Sequence, residues 1–210
     1  NHPPEKPFNP NPSNGTVAVP TSATLSVNVS DPDGDNMNVY FYQPSTTKPQ
    51  ADNFTLIALP DTQIYAESYP SIFDNQTQWV ADTTANMKTV FVTHEGDVVN
   101  VNTQTIQWDR ANNSMSKLDG MVPWAIAPGN HELDSNLTNY NMYFGYNRFN
   151  GKSWYGGAYQ NVNTNSYELF SGGDDDYLIF HFQYSVNDSI LAWANTTIAN
   201  YPNRRVIVTA

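Results

Sequence analysis

The residues of this chain that are best suited to chemistry lie in three short polar clusters, each of which follows an apolar run. The clusters are Asp61-x-Gln63, Gly96-Asp97-x-x-Asn100 and Gly129-Asn130-His131-Glu132. Carboxylate and amide oxygens bind hard divalent cations, and a carboxylate between two cations can bridge them. Two such cations bind a phosphoryl group and lower the pKa of a bound water, and histidine is the usual proton donor near neutral pH. Three clusters that meet would therefore form a two-metal site.

The elements around the clusters determine whether they meet. The apolar runs Phe54–Leu59, Thr89–Thr93 and Val122–Ala127 predict three buried strands. Residues 71–88 and 103–118 lie between them and have the periodicity of helices. Strands that alternate with helices form parallel sheets, and the carboxyl ends of parallel strands meet at one edge, where open α/β sheets bind ligands. The spacing therefore predicts that the clusters converge.

The helical periodicity also predicts which side chains face the core. In the helix at 71–88 the inward positions are Ile72, Phe73, Gln76, Trp79, Val80, Thr83 and Met87. In the helix at 103–118 they are Ile106, Ala111, Met115 and Leu118.

The second half of the chain has weaker patterns. Residues 133–164 are rich in Asn, Gly, Tyr and Trp and indicate a long ordered loop, whose aromatic side chains either pack the loop or line a cleft. Tyr167–Phe170 and Tyr177–Phe182 predict a hairpin. A last helix follows from Asp188, and residues 205–210 predict a final strand.

The N-terminal region differs in composition from the rest. Residues 1–15 contain five prolines and predict an extended lead-in, and residues 44–53 have the composition of a linker to a main domain at 54–210. Residues 16–29 alternate apolar and polar side chains, and Asn38–Tyr42 predicts a further strand. Together, residues 16–43 resemble the first strands of immunoglobulin-like or cadherin-like modules of secreted microbial proteins, which imply a small β-sandwich-like segment. Its turn, residues 31–35, holds three aspartates and suggests calcium, but a plain turn is the simpler interpretation.

Composition excludes several partners. The formal charge is −11, from 20 acidic and 9 basic residues, which disfavours nucleic acid and anionic membranes. The chain has no cysteine, and no apolar run is long enough to span a membrane. The asparagines that match the N-glycosylation pattern are Asn14, Asn28, Asn53, Asn75, Asn112, Asn136, Asn187 and Asn195. These sites predict an exported glycoprotein, extracellular or at the cell surface.

The order and spacing of the three clusters resemble the calcineurin-like metallophosphoesterases. The resemblance covers about residues 54–210 and includes the Trp154-Tyr155-Gly156-Gly157 segment. It implies a four-layer α/β/β/α sandwich with a site for two divalent metal ions, for which Mn, Fe, Zn, Mg and Ca are all open. By the resemblance, Asp61 and Gln63 would bind the first ion, Asp97 would bridge both, and Asn130 would bind the second.

The resemblance also implies roles for two further residues. His131 would sit beside the phosphate and donate a proton to the leaving oxygen, or stabilise it, and Asn100 would orient the site. Two departures stand against this. The family's first motif is Asp-x-His, whereas Gln63 is a weaker, neutral oxygen ligand. The family also takes histidine ligands from positions after the strand that residues 206–210 resemble, so the expected fold is truncated and its site incomplete.

Two other histidines are candidates for the missing ligands. His94 precedes Gly96 and could line the edge of a cleft. His181 alternates with Phe180 and Phe182, so a core histidine with satisfied nitrogens is the simpler interpretation.

Two functions stay open. The first is hydrolysis of phosphate monoesters or diesters by a metal-activated water or hydroxide, with His131 as the proton donor. The second is a catalytically incomplete, glycosylated surface or filament subunit. In that case the strands of residues 16–43 would pair with a neighbouring copy by β-strand addition.

Overall fold

The computed structural model describes residues 2–17, 19–20, 22–39, 53–133 and 137–210. It comprises two compact units, Asn1–Lys48 and Pro49–Ala210. No helix in the described ranges is both long and apolar enough to cross a membrane.

The N-terminal unit contains a two-stranded antiparallel sheet, formed by β1 (Phe8–Asn11) and β2 (Ser26–Asn28). The strand predicted at Asn38–Tyr42 and most of the linker extend into residues 40–52, which lie outside the described residues. The immunoglobulin-like interpretation of residues 16–43 therefore stays a prediction.

The first sheet of the C-terminal unit is parallel and has its second strand in the centre. Its strands are β3 (Thr55–Leu59), β4 (Thr89–His94) and β5 (Trp124–Ile126), in the order β3-β4-β5. Leu59 pairs with His94, and His94 pairs with Ile126, so the three strands reach the same level at their carboxyl ends.

Helices connect these strands, as the alternation predicts. Two helices, α1 (Gln63–Ser68) and α2 (Pro70–Met87), lie between β3 and β4, and α3 (Thr105–Met115) lies between β4 and β5. The periodicity did not predict α1, which begins inside the first polar cluster.

The second sheet is mixed and has the order β6-β7-β8-β9. Its strands are β6 (Tyr155–Ala158), β7 (Asn165–Gly172), β8 (Asp175–Phe182) and β9 (Arg205–Thr209). The hairpin β7–β8 is antiparallel, and β9 runs parallel to β8 after the crossover helix α7 (Asp188–Asn200).

The long loop expected at residues 133–164 contains secondary structure. After the short helix α4 (Asn130–Leu133), the described residues form α5 (Thr138–Phe144), α6 (Tyr146–Phe149) and then β6. The aromatic rings stabilise this segment by packing: Tyr140, Phe144 and Phe149 are fully buried in the core cluster that contains Trp108 and Trp124.

Three apolar layers hold four layers of secondary structure together. One lies between the helices and the first sheet, one between the sheets, and one between the second sheet and α7. Representative residues are Phe73, Val92 and Trp108 in the first, Phe91, Ala125 and Phe170 in the second, and Leu178, Phe180 and Ile190 in the third. The predicted α/β/β/α arrangement is therefore confirmed.

The inward face of α2 is displaced from the predicted one. The buried positions are Phe73, Thr77, Val80 and Ala81. Ile72 and Trp79 are 42% and 52% exposed. Both line an open groove beside β3, which is the edge strand of its sheet. In α3, Ile106 is likewise exposed.

Candidate functional site

The three polar clusters meet at the carboxyl edge of the first sheet. The Thr62 N–H donates to the Asp97 carbonyl oxygen at 3.1 Å, which joins the first loop to the second. The His131 N–H donates to Asp97 Oδ1, also at 3.1 Å, which joins the third loop to the second. Asp97 is therefore the common contact of all three clusters, and Asn130 lies exposed beside His131 at the start of α4.

Two glycines permit this close approach. A Cβ atom on Gly129 would lie 2.2 Å from Asp97 Oδ1, and one on Gly96 would lie 2.6 Å from the Gly129 nitrogen. Gly96 has φ +93°, and Asp97 itself has φ +49°, so the backbone turns through the left-handed region at both residues. Larger residues at either glycine would push the second and third loops apart.

Glu132 connects the second and third loops by hydrogen bonds. It is 1% exposed, and its carboxylate accepts the backbone N–H groups of Asp97, Val98, Val99 and Gly129 at 2.8–3.2 Å. Burial raises the pKa of Glu132 to about 7 against the opposing effect of these hydrogen bonds. The sequence pattern predicts no separate role for Glu132, although a carboxylate in the first turn after Gly-Asn-His is a suitable acceptor for loop N–H groups.

Gln63 orients the carboxylate of Asp61. The Gln63 backbone N–H donates to Asp61 Oδ1 and its side-chain Nε2 donates to Oδ2, each at 2.8 Å. With Nε2 directed at Asp61, Oε1 is the amide atom that could coordinate a cation. The first cluster is thus held in place by bonds within itself.

His131 and Asn100 are in contact, but through the main chain of Asn100. The His131 Nδ1 lies 2.7 Å from the Asn100 carbonyl oxygen. The Asn100 side chain points elsewhere, and its Nδ2 donates to Glu67 Oε1 at 2.9 Å. The carbonyl oxygen of Asn100, not its side chain, can therefore fill the orienting role expected of this residue.

His94 is a buried structural residue. Its Nδ1 accepts the Gly96 N–H at 3.2 Å, its Nε2 lies 3.0 Å from Thr62 Oγ1, and its ring packs near that of Phe73. Complete burial lowers the pKa of His94 to about 3, so the ring is neutral at physiological pH. With both nitrogens engaged, His94 is not placed to bind a metal.

His181 is a core histidine, as its alternation with Phe180 and Phe182 predicted. It is fully buried between the two sheets. Its Nε2 lies 2.8 Å from Thr93 Oγ1 and its Nδ1 lies 2.6 Å from Glu168 Oε2.

The donor atoms at the sheet edge fit a divalent cation in chemical type. Asp61 and Asp97 supply two carboxylates, and Gln63 and Asn130 supply amide oxygens, which are ligands of hard cations. Within the described ranges, neither carboxylate forms an ion pair with Lys or Arg. The same ranges contain no group of three or more His, Cys, Asp or Glu that could hold a metal, so the described residues offer two carboxylates and neutral amide oxygens.

Comparison with known proteins identifies the family. Residues 54–208 match the family model for calcineurin-like phosphoesterases. The chain belongs to the calcineurin-like phosphoesterase family. It is also 37% identical over 164 residues to YvnB, an uncharacterized protein of Bacillus subtilis (strain 168). That match covers 76% of this chain but only 13% of the relative, so the chain spans a small part of the curated relative's length.

Of the seven asparagines predicted to carry glycans that the structure describes, six are exposed. Asn14, Asn28, Asn53, Asn75, Asn187 and Asn195 are exposed. Asn112 is half-buried, with its side-chain oxygen accepting from Arg148, and Asn136 lies outside the described residues. Glycosylation and export stay predictions.

Proposed function

We propose that this calcineurin-like phosphoesterase chain hydrolyses phosphate monoesters or diesters with water or hydroxide as the nucleophile. The observation that carries the proposal is the hydrogen-bonded union of the three loops around Asp97. It gathers two carboxylates, two amides and an imidazole at the edge where parallel sheets bind ligands.

Asp61, Gln63, Asp97 and Asn130 would hold the divalent metal ions. Bound metal would polarise the phosphoryl group and lower the pKa of the attacking water. The chain's own contribution is to fix the ligands beforehand. The two Gln63 hydrogen bonds hold the Asp61 carboxylate, and the His131 N–H holds that of Asp97. Such preorganisation spares the site the cost of ordering its ligands during the reaction.

His131 would donate a proton to the leaving oxygen. A carbonyl oxygen can only accept a hydrogen bond, so the Asn100 contact assigns the hydrogen to Nδ1. In the neutral ring the lone pair is then at Nε2, and the imidazolium form donates from the Nε2–H. General acid catalysis of this kind typically contributes about 10²–10⁴-fold in rate.

The proposal also allows for a further metal ligand from a residue that follows β9. Thr209 of β9 lies level with His181, and His181 contacts Thr93 of β4. The carboxyl end of β9 thus approaches the edge that carries the clusters. A histidine that followed β9 would be in position to join the site.

The test is metal binding and hydrolysis by matched variants. The chain is treated with a chelator, reloaded with Mn²⁺, Zn²⁺ or Mg²⁺, and assayed with chromogenic phosphate monoesters and diesters. We expect Asp97→Asn to lose metal affinity and activity. His131→Ala should keep the metal but lower kcat by about 10²-fold or more. Asp82→Asn, at an exposed position on α2, is the control. Absence of any divalent-metal binding would refute the proposal.

The alternative, a structural subunit, has one supporting observation. Apolar side chains of the N-terminal unit are exposed, including Val17 at 86% and Leu25 at 57%. Such side chains could pack against a second copy. Light scattering at high concentration would separate the two functions, since a chain that stays monomeric cannot be a filament subunit.

A further inference from the structure

His131 is held at two points by the short segment of residues 100–102. The ring Nδ1 contacts the Asn100 carbonyl oxygen at 2.7 Å. The main-chain carbonyl oxygen of His131 accepts a hydrogen bond from Asn102 Nδ2 at 2.9 Å. The orientation of this histidine therefore depends on what holds the segment in place.

Helix α3 holds the segment through two adjacent buried side chains. The Gln107 Oε1 accepts the backbone N–H groups of Asn100 and Val101, both at 2.9 Å. The Trp108 Nε1–H donates to the Asn102 carbonyl oxygen at 2.8 Å. Gln107 is 1% exposed and Trp108 is fully buried, so water does not compete for these bonds.

The peptide that joins Asn100 to Val101 links Gln107 directly to His131. A trans peptide is planar, and its N–H and C=O point in opposite directions. The Val101 N–H donates to Gln107, so the Asn100 carbonyl of the same peptide must point the other way. The group on that other side is the His131 ring.

Helix α1 supplies a second anchor. The Asn100 Nδ2 donates to Glu67 Oε1 at 2.9 Å, which fixes the side chain of the same residue. Glu67 is in turn joined to α3, because Arg110 donates to its carbonyl oxygen at 2.6 Å. Asn100 is thus held at its N–H, its side chain and its carbonyl.

We propose that Gln107 and Glu67 are positioning residues for His131. By fixing the Asn100 carbonyl, they place the ring hydrogen on Nδ1 and the lone pair on Nε2. Their significance for catalysis rests on the proposed function, but the tautomer does not. The proposed function and the proposed tautomer of His131 can therefore be refuted independently of each other.

The primary test is ¹⁵N NMR of the His131 ring in the 210-residue chain. It is recorded at a pH above which the ring ¹⁵N shifts no longer change, so that the two neutral tautomers are compared. We expect the wild type to have its hydrogen on Nδ1. Gln107→Met keeps the length of the side chain but removes the acceptor, and should lower the ratio of the Nδ1–H to the Nε2–H tautomer about fivefold. Gln107→Glu retains an acceptor oxygen and should therefore have the tautomer ratio of the wild type.

Two further variants separate positioning from general destabilisation. Glu67→Ala should shift the tautomer ratio in the same direction by a smaller factor, and serves if Gln107→Met does not fold. Glu168→Gln alters a buried carboxylate between the sheets and should leave the ratio unchanged. A wild type with its hydrogen on Nε2, or an unchanged ratio in both Gln107→Met and Glu67→Ala, would overturn the proposal.

Kinetics supply the second readout. For the chromogenic ester, Gln107→Met should lower kcat about tenfold with KM nearly unchanged, because a misdirected ring loses proton transfer but not substrate binding. A KM effect without loss of kcat would contradict a role through His131. A wild-type chain without hydrolysis would count against the proposed function and leave the tautomer result standing.

Discussion

Two buried carboxylates of the C-terminal unit are partnered in different ways. Glu132, at the sheet edge, accepts four backbone N–H groups. Glu168, between the sheets, is fully buried and contacts the His181 ring through Oε2. Its Oε1 has no hydrogen-bond partner within the described residues. Glu132 therefore stabilises the main chain of two loops, whereas Glu168 has one side-chain partner.

The hydrogen bonds around His181 connect the second pair to β4. Thr93 Oγ1 lies 3.1 Å from Glu95 Oε1, to which it can only donate, and 2.8 Å from His181 Nε2. When the hydroxyl hydrogen points to Glu95, the Thr93 oxygen accepts from the His181 Nε2–H. One proton then lies between His181 Nδ1 and Glu168 Oε2, and the pair has no net charge, which makes its burial tolerable.

The difference follows from the elements that carry the two residues. Strands β7 and β8 satisfy each other's backbone groups, so Glu168 finds only side chains to contact. The loops after β4 and β5 leave backbone N–H groups unpaired inside the protein, and a carboxylate can accept several of them at once. We therefore expect a buried acid to be indispensable at the loops and replaceable between the strands.

The strongest test of this comparison is Glu132→Leu. The substitution leaves up to four buried N–H groups without an acceptor, and we expect a loss of about 4 kcal/mol in the free energy of unfolding. Urea denaturation followed by tryptophan fluorescence measures it, since all five tryptophans lie in residues 79–193. A loss below about 1 kcal/mol would mean that the loops find other partners.

A double-mutant cycle tests the inter-sheet pair. His181→Leu leaves the Glu168 carboxyl group buried without its partner and should cost about 3 kcal/mol. The double variant Glu168→Leu/His181→Leu removes both polar groups and should be more stable than the single one, within about 1 kcal/mol of the wild type. A double variant less stable than His181→Leu would show that the pair is as indispensable as Glu132.

The pH dependence of stability extends the comparison to His94, a buried ring that accepts the Gly96 N–H next to the Asp97 N–H bound by Glu132. Its pKa is about 3 in the folded chain, against an ordinary value of 6.5. Below pH 6.5 the unfolded chain gains a proton that the folded ring does not take up, so stability falls as the pH decreases towards 3.

The neutral variant His94→Gln isolates this contribution. The difference in unfolding free energy between wild type and His94→Gln should shrink by about 1 kcal/mol for each pH unit below 6.5. Urea titrations in the presence of a chelator, at several pH values, provide the measurement. Parallel curves for the two proteins would show that the His94 ring titrates normally when folded.

Much of the site was accessible from the sequence because it follows from strand order. Asp61, Asp97 and His131 come after successive apolar runs, and parallel strands carry such residues to one edge whatever the details of packing. The family and the core position of His181 follow from similarly local patterns, and the resemblance to that family implied the two sheets. The roles expected of the site residues stay predictions, namely those of Asp61, Gln63, Asp97, Asn130, His131 and Asn100.

Other features depend on contacts between distant parts of the chain. Periodicity could not show that Ile72 and Trp79 would be exposed, because their exposure depends on β3 being an edge strand. Nor could it show that aromatic packing would give residues 137–158 two helices and a strand.

The sequence by itself determined which residues reach the edge of the sheet, since that depends only on the order of strands and the residues that follow them. The tertiary structure alone decided what holds those residues there. Glu132, Gln107 and Glu67 act on backbone or side-chain groups that lie 3 to 35 positions away. No local pattern records such contacts, because a buried acceptor is defined by the N–H groups that folding brings to it.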